Sequence, residues 1–199
     1  MMKYIKWFLL AIIDILFNAI CYVTNPFVLL FADELGNLPH IFRWWENWDD
    51  HLDISWMVTD HHVPKFAEYD FNRHYRYYTP QEAEQTIGVH RGYVILLDPC
   101  FTRKERIQRY VCRLVWIYRN CGYGFSYWVT GIDVNEKDIK KVKDEYGCIF
   151  YVTDDAFCYK EERTSFGHYH WDNYIGWKFR HVKGTQRCML SCRMNPFAK

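Results

Sequence analysis

The sequence has almost no surplus of charge of either sign: 25 Lys and Arg stand against 24 Asp and Glu. A nucleic-acid binder usually carries a clear basic excess, so this balance argues against a protein that coats a polyanion. With Lys3, Lys6 and Asp14 set aside as part of the N-terminal segment, the remainder balances at 23 against 23. No C-x-x-C occurs among the eight cysteines, which removes the main support for a zinc ribbon or a thioredoxin-like motif. G-x-S-x-G, the P-loop and G-x-G-x-x-G are also missing, so serine-hydrolase and nucleotide-binding readings lack their usual handle. Neither an internal repeat nor a low-complexity tract is present.

What is abundant is aromatic residues: Trp 9, Tyr 16 and Phe 14 in 199 residues supply a packed core and speak against disorder. Seven cysteines lie outside the N-terminal segment, scattered through apolar stretches, and read as buried free thiols of a reducing compartment. Cys188 and Cys192, four apart on an expected strand, stand roughly 13 Å apart and do not bridge each other.

From Trp7 to Ala32 only Asp14, Asn18, Thr24, Asn25 and Pro26 fall outside the apolar class. At about 1.5 Å per residue such a helix crosses a hydrocarbon core of roughly 30 Å. Asp14 and Asn18 share a helix face, and Asn25-Pro26 interrupts the pattern. An acid inside the apolar run, with no A-x-A after it, fits a secretory signal poorly. Three readings stand: a transmembrane helix turning Asp14 and Asn18 to a partner, a monotopic or re-entrant element, and a core hairpin of a soluble domain. Lys3 and Lys6 before the segment keep the N-terminus cytoplasmic; a full span would then export a domain rich in unpaired cysteines. This conflict favours a re-entrant or monotopic element with the large domain in the cytoplasm. The membrane-facing residues are then Trp7, Phe8, Leu9, Ile12, Ile13, Leu16, Phe17, Phe27 and Leu30, and membrane lipid is the first partner.

The chain divides by pattern into the membrane-directed segment 1–32, an irregular aromatic region 33–90 and an α+β domain 91–199. Arg91 to Leu97 reads as a buried strand. Thr102-Arg103-Lys104-Glu105 is a capping box opening a helix toward Gly122. Tyr123 to Gly131 reads as a strand, and Asn135 with Asp138 starts a second helix ending at Gly147. Cys148 to Thr153 is another strand. In a late hairpin Ile175, Trp177, Phe179 and His181 alternate, Lys183-Gly184 turns, and Cys188, Leu190, Cys192 and Met194 return. The expected class is α+β: an N-terminal hydrophobic helical segment followed by a mainly antiparallel sheet with two helices.

Three clusters carry chemistry. Arg106, Arg109 and Arg113 share a face of the first long helix after the anchor and suit a protein partner, anionic headgroups or nucleic-acid phosphate, although a solvated face explains them as well. His168-Tyr169-His170-Trp171-Asp172 has H-x-H-x-D spacing, and with Asp49, Asp53, His61 and His62 it offers imidazole and carboxylate to a metal. The acidic turn Asp49, Asp50, Asp53 lacks the calcium-loop pattern, and surface placement explains the histidines equally well. No cofactor is expected.

The apolar segment running into Asn25-Pro26-Phe27-Val28-Leu29-Leu30-Phe31-Ala32, then Leu38-Pro39, Trp44-Trp45 and Arg119-Asn120-Cys121-Gly122-Tyr123-Gly124-Phe125, resembles a family of uncharacterised tailed-phage proteins. Gly176-Trp177-Lys178 and Asn195-Pro196-Phe197 fit the same pattern. In that family the acidic turn reads T-P-D-N-x-L-D-G-D, and Trp48 to Ile54 lacks the final G-D. The resemblance implies a phage origin and a bacterial host, and supplies no activity. The resulting expectation is a membrane-associated accessory protein that binds a host or phage partner at the inner membrane. A small metal-dependent hydrolase or nuclease and a virion or assembly protein are the alternatives.

Overall fold

The computed structural model describes residues 1–46, 52–53, 64–87, 93–119 and 121–198. Along the chain run α1 (Met2–Val28), α2 (Phe71–His74), β1 (Tyr75–Tyr78), α3 (Pro80–Ile87), β2 (Tyr93–Leu96), α4 (Arg103–Arg119), α5 (Tyr123–Trp128), β3 (Ile132–Asn135), β4 (Lys140–Glu145), β5 (Cys148–Val152), β6 (Phe157–Phe166), β7 (Tyr169–Trp177), β8 (Thr185–Cys188) and β9 (Leu190–Ala198). Short 3-10 turns lie at Leu29–Phe31, His40–Phe42, Lys65–Ala67 and Glu136–Asp138. The class is α+β, and every strand pair is antiparallel. Two compact units share α1: residues Met1–Phe17 with Phe125–Lys199, and Asn18–Gly124.

The first unit is built on a five-stranded sheet in the order β4-β5-β6-β7-β9, with β3 and β8 as a separate pair. Its core gathers Phe157, Trp177, Phe179 and Leu190, each at most 5% exposed, and α1 joins it through Ala11. The late return pairs as its alternation predicts, Ile175 against Cys192 and Trp177 against Leu190. The chain between them makes a longer excursion in which β8 leaves to pair with β3. Arg187 on β8 donates to the carbonyls of Tyr127, Trp128 and Gly131 at 2.8, 3.0 and 3.1 Å, satisfying acceptors that the end of α5 leaves open.

Two expectations fail here. The segment from Tyr123 is the helix α5, because Phe125 and Ser126 are buried consecutively and a strand would alternate them. The second helix, expected from Asn135, is one 3-10 turn followed by the strand β4. Asn135 does cap, accepting from Lys137 N at 2.9 Å, and the helix stops there. β4 is exposed at all its positions and, among the described strands, pairs only with β5, with a register shift between Lys141 and Lys143. A lysine-rich, bulged strand suits a sheet edge, because charge and irregularity discourage further pairing.

The second unit packs α4 against the Leu29–Phe31 and Lys65–Ala67 turns, with β1 and β2 as a small hairpin sheet. Leu29, Phe71, Tyr75, Trp116 and Ile117 centre its core. The capping box forms: Thr102 N donates to Glu105 Oε2 at 2.7 Å and Glu105 N to Thr102 Oγ1 at 3.2 Å. These bonds, with His74 beside them, hold the Glu105 carboxyl down at about 2. Pro26 lies inside α1, so the Tyr22 carbonyl lacks its usual amide partner. The Tyr118 hydroxyl donates to that carbonyl at 2.9 Å, and the Tyr110 hydroxyl donates to the Pro26 carbonyl at 2.7 Å. The proline is therefore accommodated by two tyrosines of α4 and the helix continues to Val28.

Candidate functional site

α1 is long and apolar enough to cross a membrane, a property that signal sequences and core helices share. Its distribution of polarity is the reverse of a soluble helix. Ile5, Leu9, Ile12, Leu16, Ile20, Val23, Phe27 and Leu30 recur every three or four positions and are 42 to 70% exposed. Two polar residues point inward, while Lys6 stays exposed. Asp14 is 6% exposed and Asn25 fully buried. In the first unit Asp14 accepts from the Ser126 hydroxyl at 2.7 Å and the Thr130 hydroxyl at 3.4 Å. Lys3 donates to the Thr153 carbonyl at 2.6 Å and the Trp7 indole to the Ser191 carbonyl at 3.3 Å.

In the second unit Trp45 Nε1 donates to Thr24 Oγ1 at 2.7 Å, and Asn25 Nδ2 lies 3.4 Å from Cys121 Sγ. The turn after α4 is cut to fit this face. At Gly122, φ is +68° and a Cβ would stand 2.8 Å from Asn18 Oδ1; at Gly124 it would stand 2.1 Å from the Arg43 carbonyl oxygen. Each unit thus holds the polar residues of its own stretch of α1 with its own hydrogen-bond partners, and within each unit no described residue buries the apolar residues named above.

Of the nine residues expected to face lipid, Phe8, Leu9, Ile12, Ile13, Leu16, Phe27 and Leu30 are exposed on α1 and its 3-10 extension. Trp7 and Phe17 turn inward instead, Trp7 edge-on to Phe157 and Phe17 stacked on Phe125 at 4.1 Å between ring centroids. Large aromatic rings at these positions fill the groove beside α1 and are not available to a bilayer.

The arginines of α4 do not form a solvated face. Arg109 and Arg113 are each 7% exposed and close on Asp53, which is 3% exposed. Asp53 Oδ1 accepts from Arg109 Nε at 3.2 Å and Arg113 Nε at 2.6 Å; Oδ2 accepts from Arg109 Nη2 at 2.9 Å and Arg113 Nη2 at 2.6 Å. Burial alone would raise the Asp53 carboxyl, but the hydrogen bonds and charges of Arg113 and Arg109 outweigh it and hold it well below the usual range. The guanidiniums also tie down the chain after α1: Arg113 Nη1 donates to the Asp33 carbonyl at 3.1 Å and Arg109 Nη2 to the Glu34 carbonyl. Arg109 further lies over the Phe101 ring, 4.5 Å from its centroid. Arg106 stays at the surface, its Nε donating to the Phe101 carbonyl at 3.4 Å. Beside the three arginines opens a cavity of about 490 Å³.

The expected metal cluster divides. Asp49, His61 and His62 lie outside the described residues. Both Asp53 oxygens are taken by arginines, which removes it from any ligand set. His168 and His170 sit at the turn into β7, in the first unit, where Asp172 pairs with Arg193 at 2.7 Å. Among the described residues no group of three or more His, Cys, Asp or Glu is placed to hold a metal ion. Asn120 also lies outside the described residues, and Arg119 lies over the Trp116 ring at 5.5 Å.

Over its whole length, residues 1–199, the sequence matches the model of DUF7338, a family of unknown function. The chain belongs to that family. No curated protein matches it, and neither does any solved structure. For this DUF7338 chain, function must therefore be argued from the two features sequence reasoning saw only in part: a helix with its apolar face outward, and a buried Asp53–arginine cluster. Asp14 and Asn18 on one face were the signal for the first. For the second no local signal exists, since Asp53 stands 56 and 60 positions from its partners.

Proposed function

We propose that this chain is a membrane-associated accessory protein of tailed-phage origin, held at the host inner membrane by the outer face of α1, with its large body in the cytoplasm. It acts by binding a partner rather than by catalysis. One observation carries the reading: in each unit α1 turns a polar residue inward, Asp14 in the first and Asn25 in the second, and leaves its apolar residues exposed, Ile12 and Leu16 in the first and Val23 and Phe27 in the second. Water disfavours such exposed apolar surface by about 25 cal/mol per Å², and insertion into the acyl region of one leaflet removes that cost.

The covered inner face also favours a monotopic helix over a spanning one. A span needs lipid or partner helices around it, whereas α1 joins a β-sheet core through Ala11 in the first unit and accepts from the Tyr110 and Tyr118 hydroxyls of α4 in the second. For partner binding, the five-stranded sheet offers Tyr146 and Phe166, both strongly exposed at the β4–β5 and β6–β7 turns, which antiparallel order puts at one end of the sheet. Exposed aromatic tips of this kind supply the anchors of many interfaces.

The test is flotation of the full-length protein with vesicles of phosphatidylethanolamine and phosphatidylglycerol. Wild type floats, and the double variant Ile12→Glu/Leu16→Glu stays at the bottom of the gradient with an unchanged circular dichroism spectrum. Equal flotation of the two proteins refutes the anchor.

A further inference from the structure

The cavity beside α4 has a composition that an anchor alone does not require. Leu29 and Leu30, where the exposed stripe of α1 ends, form its apolar side. Arg106, Arg109 and Arg113 form its cationic side. Two of these guanidiniums share a single buried carboxylate, Asp53, and the other acids beside them are Asp33 and Glu34, which also line the cavity. Guanidinium N–H groups left without a partner in such a wall favour an anion that meets them.

Donors remain for such an anion. Arg106 Nη1 and Nη2 and Arg109 Nη1 make no hydrogen bond to any described residue, although every other nitrogen of the Arg106 and Arg109 guanidiniums does. Asp33 and Glu34 also line the cavity. The Asp33 carboxylate is engaged by Asn37, through its backbone N at 2.7 Å and its Nδ2 at 3.1 Å, and both acids lie at exposed positions. The cavity therefore presents guanidinium donors within, carboxylates at the rim and aliphatic side chains on the side of α1.

From this arrangement we propose that the cavity holds the phosphodiester headgroup of one membrane glycerophospholipid, its phosphate against Arg106 and Arg109 and its acyl chains leaving past Leu30 along the outer face of α1. This rests on the membrane reading above and sharpens it, from an apolar stripe in a leaflet to a chain that retains one lipid. Guanidinium forks match phosphate oxygens in geometry, and a cavity of about 490 Å³ is of ordinary ligand size. The rim carboxylates make an ammonium-bearing or hydroxyl-bearing headgroup the better fit and a second phosphate the worse one.

The experiment titrates full-length protein with dihexanoyl phosphatidylglycerol below its micellar concentration, following heat of binding, beside flotation of the same samples with vesicles. Arg106→Gln is the test variant, because Arg106 is exposed and its loss leaves the buried Asp53 cluster in place. The expected result is saturable binding at one lipid per chain by a wild-type protein that floats with the vesicles, weakened about tenfold by Arg106→Gln as loss of a charge-assisted bond implies. Floating protein that shows no saturable binding, or binding that Arg106→Gln leaves untouched, overturns the cavity proposal and leaves the anchor standing. Inorganic phosphate binding as tightly as the short-chain lipid overturns a lipid as the occupant. Wild-type protein that fails to float overturns the reading beneath both.

Discussion

Removing the Asp53 carboxylate tests how the second unit is held together. Asp53→Ala leaves the Arg109 and Arg113 guanidiniums, each 7% exposed, without their shared counter-ion. Four hydrogen bonds between 2.6 and 3.2 Å disappear at once. Bonds to charged groups contribute about 1.5 to 3 kcal/mol each before the cost of burying the ions is subtracted. Because that cost is large, loss of one partner from a buried pair amounts to about 3 to 5 kcal/mol. In a protein of this length each kcal/mol lowers the melting temperature by about 2 to 4 °C, so a fall of roughly 6 to 20 °C is expected. Asp53→Asn should fall between wild type and alanine, since it keeps one acceptor and loses the charge. Urea unfolding followed by circular dichroism gives the free energies. The triple change Asp53→Leu/Arg109→Met/Arg113→Met should recover most of the loss, because removing the whole ionic set leaves no orphan charge. Asp53→Ala within about 1 kcal/mol of wild type would falsify the argument that this cluster is a buried, interdependent unit.

Acid should weaken the fold between about pH 4.5 and 2: Asp53 and Glu105 have depressed folded-state values, so their stabilisation is complete above the ordinary carboxylate range and is lost as pH falls. Urea midpoints at pH 4, 3 and 2 check this, below the range in which Asp14, raised to about 6 by burial, takes up its proton and works in the opposite direction; a midpoint that rises from pH 4 to 2 contradicts it. Tyr118→Phe should cost about 1 kcal/mol by orphaning the Tyr22 carbonyl, and the loss should shrink in a Pro26→Ala background where an amide returns; additive effects in the double variant refute this account of the proline. Gly176→Ala should unfold or severely weaken the first unit, because its Cβ would stand 2.1 Å from the Phe157 carbonyl oxygen at φ +108°. Gly184→Ala, with open space around it, should cost only about 1 kcal/mol; comparable losses at the two sites count against the close approach.

What the sequence revealed were features carried by neighbours along the chain. The Thr102–Glu105 box, the β5 strand and the apolar period of α1 each need only a few adjacent residues, and each is found where expected. Composition misled where tertiary pairing overrode it. The aromatic run from Tyr123 has strand propensity yet forms α5, whose last carbonyls are satisfied by Arg187 from β8. The lysines of β4 are compatible with a helix surface and equally with a sheet edge, and only the partner strand β5 decides between them. Least legible was the candidate site. Arg106, Arg109 and Arg113 were visible as a set, but their division into one exposed and two buried members depends on Asp53 far away in sequence. For Asp14, a shared face with Asn18 was apparent, but its inward aim and its partners Ser126 and Thr130 were not.

The central claim, that α1 lies in one leaflet by its outer face, is tested most directly by the depth of that face along the helix. Nitroxide labels are placed singly at Ile5, Leu9, Ile12, Leu16, Ile20, Val23 and Phe27, with Cys100, Cys148 and Cys192 replaced by serine. Collision with oxygen and with a water-soluble nickel complex then reports depth in vesicles. The account predicts a nearly constant depth of about 5 to 10 Å at all seven positions. A profile deepest near Ile12 to Leu16 and shallow at both ends would show a helix that crosses the bilayer, and labels equally open to the nickel complex with and without vesicles would show no membrane contact at all.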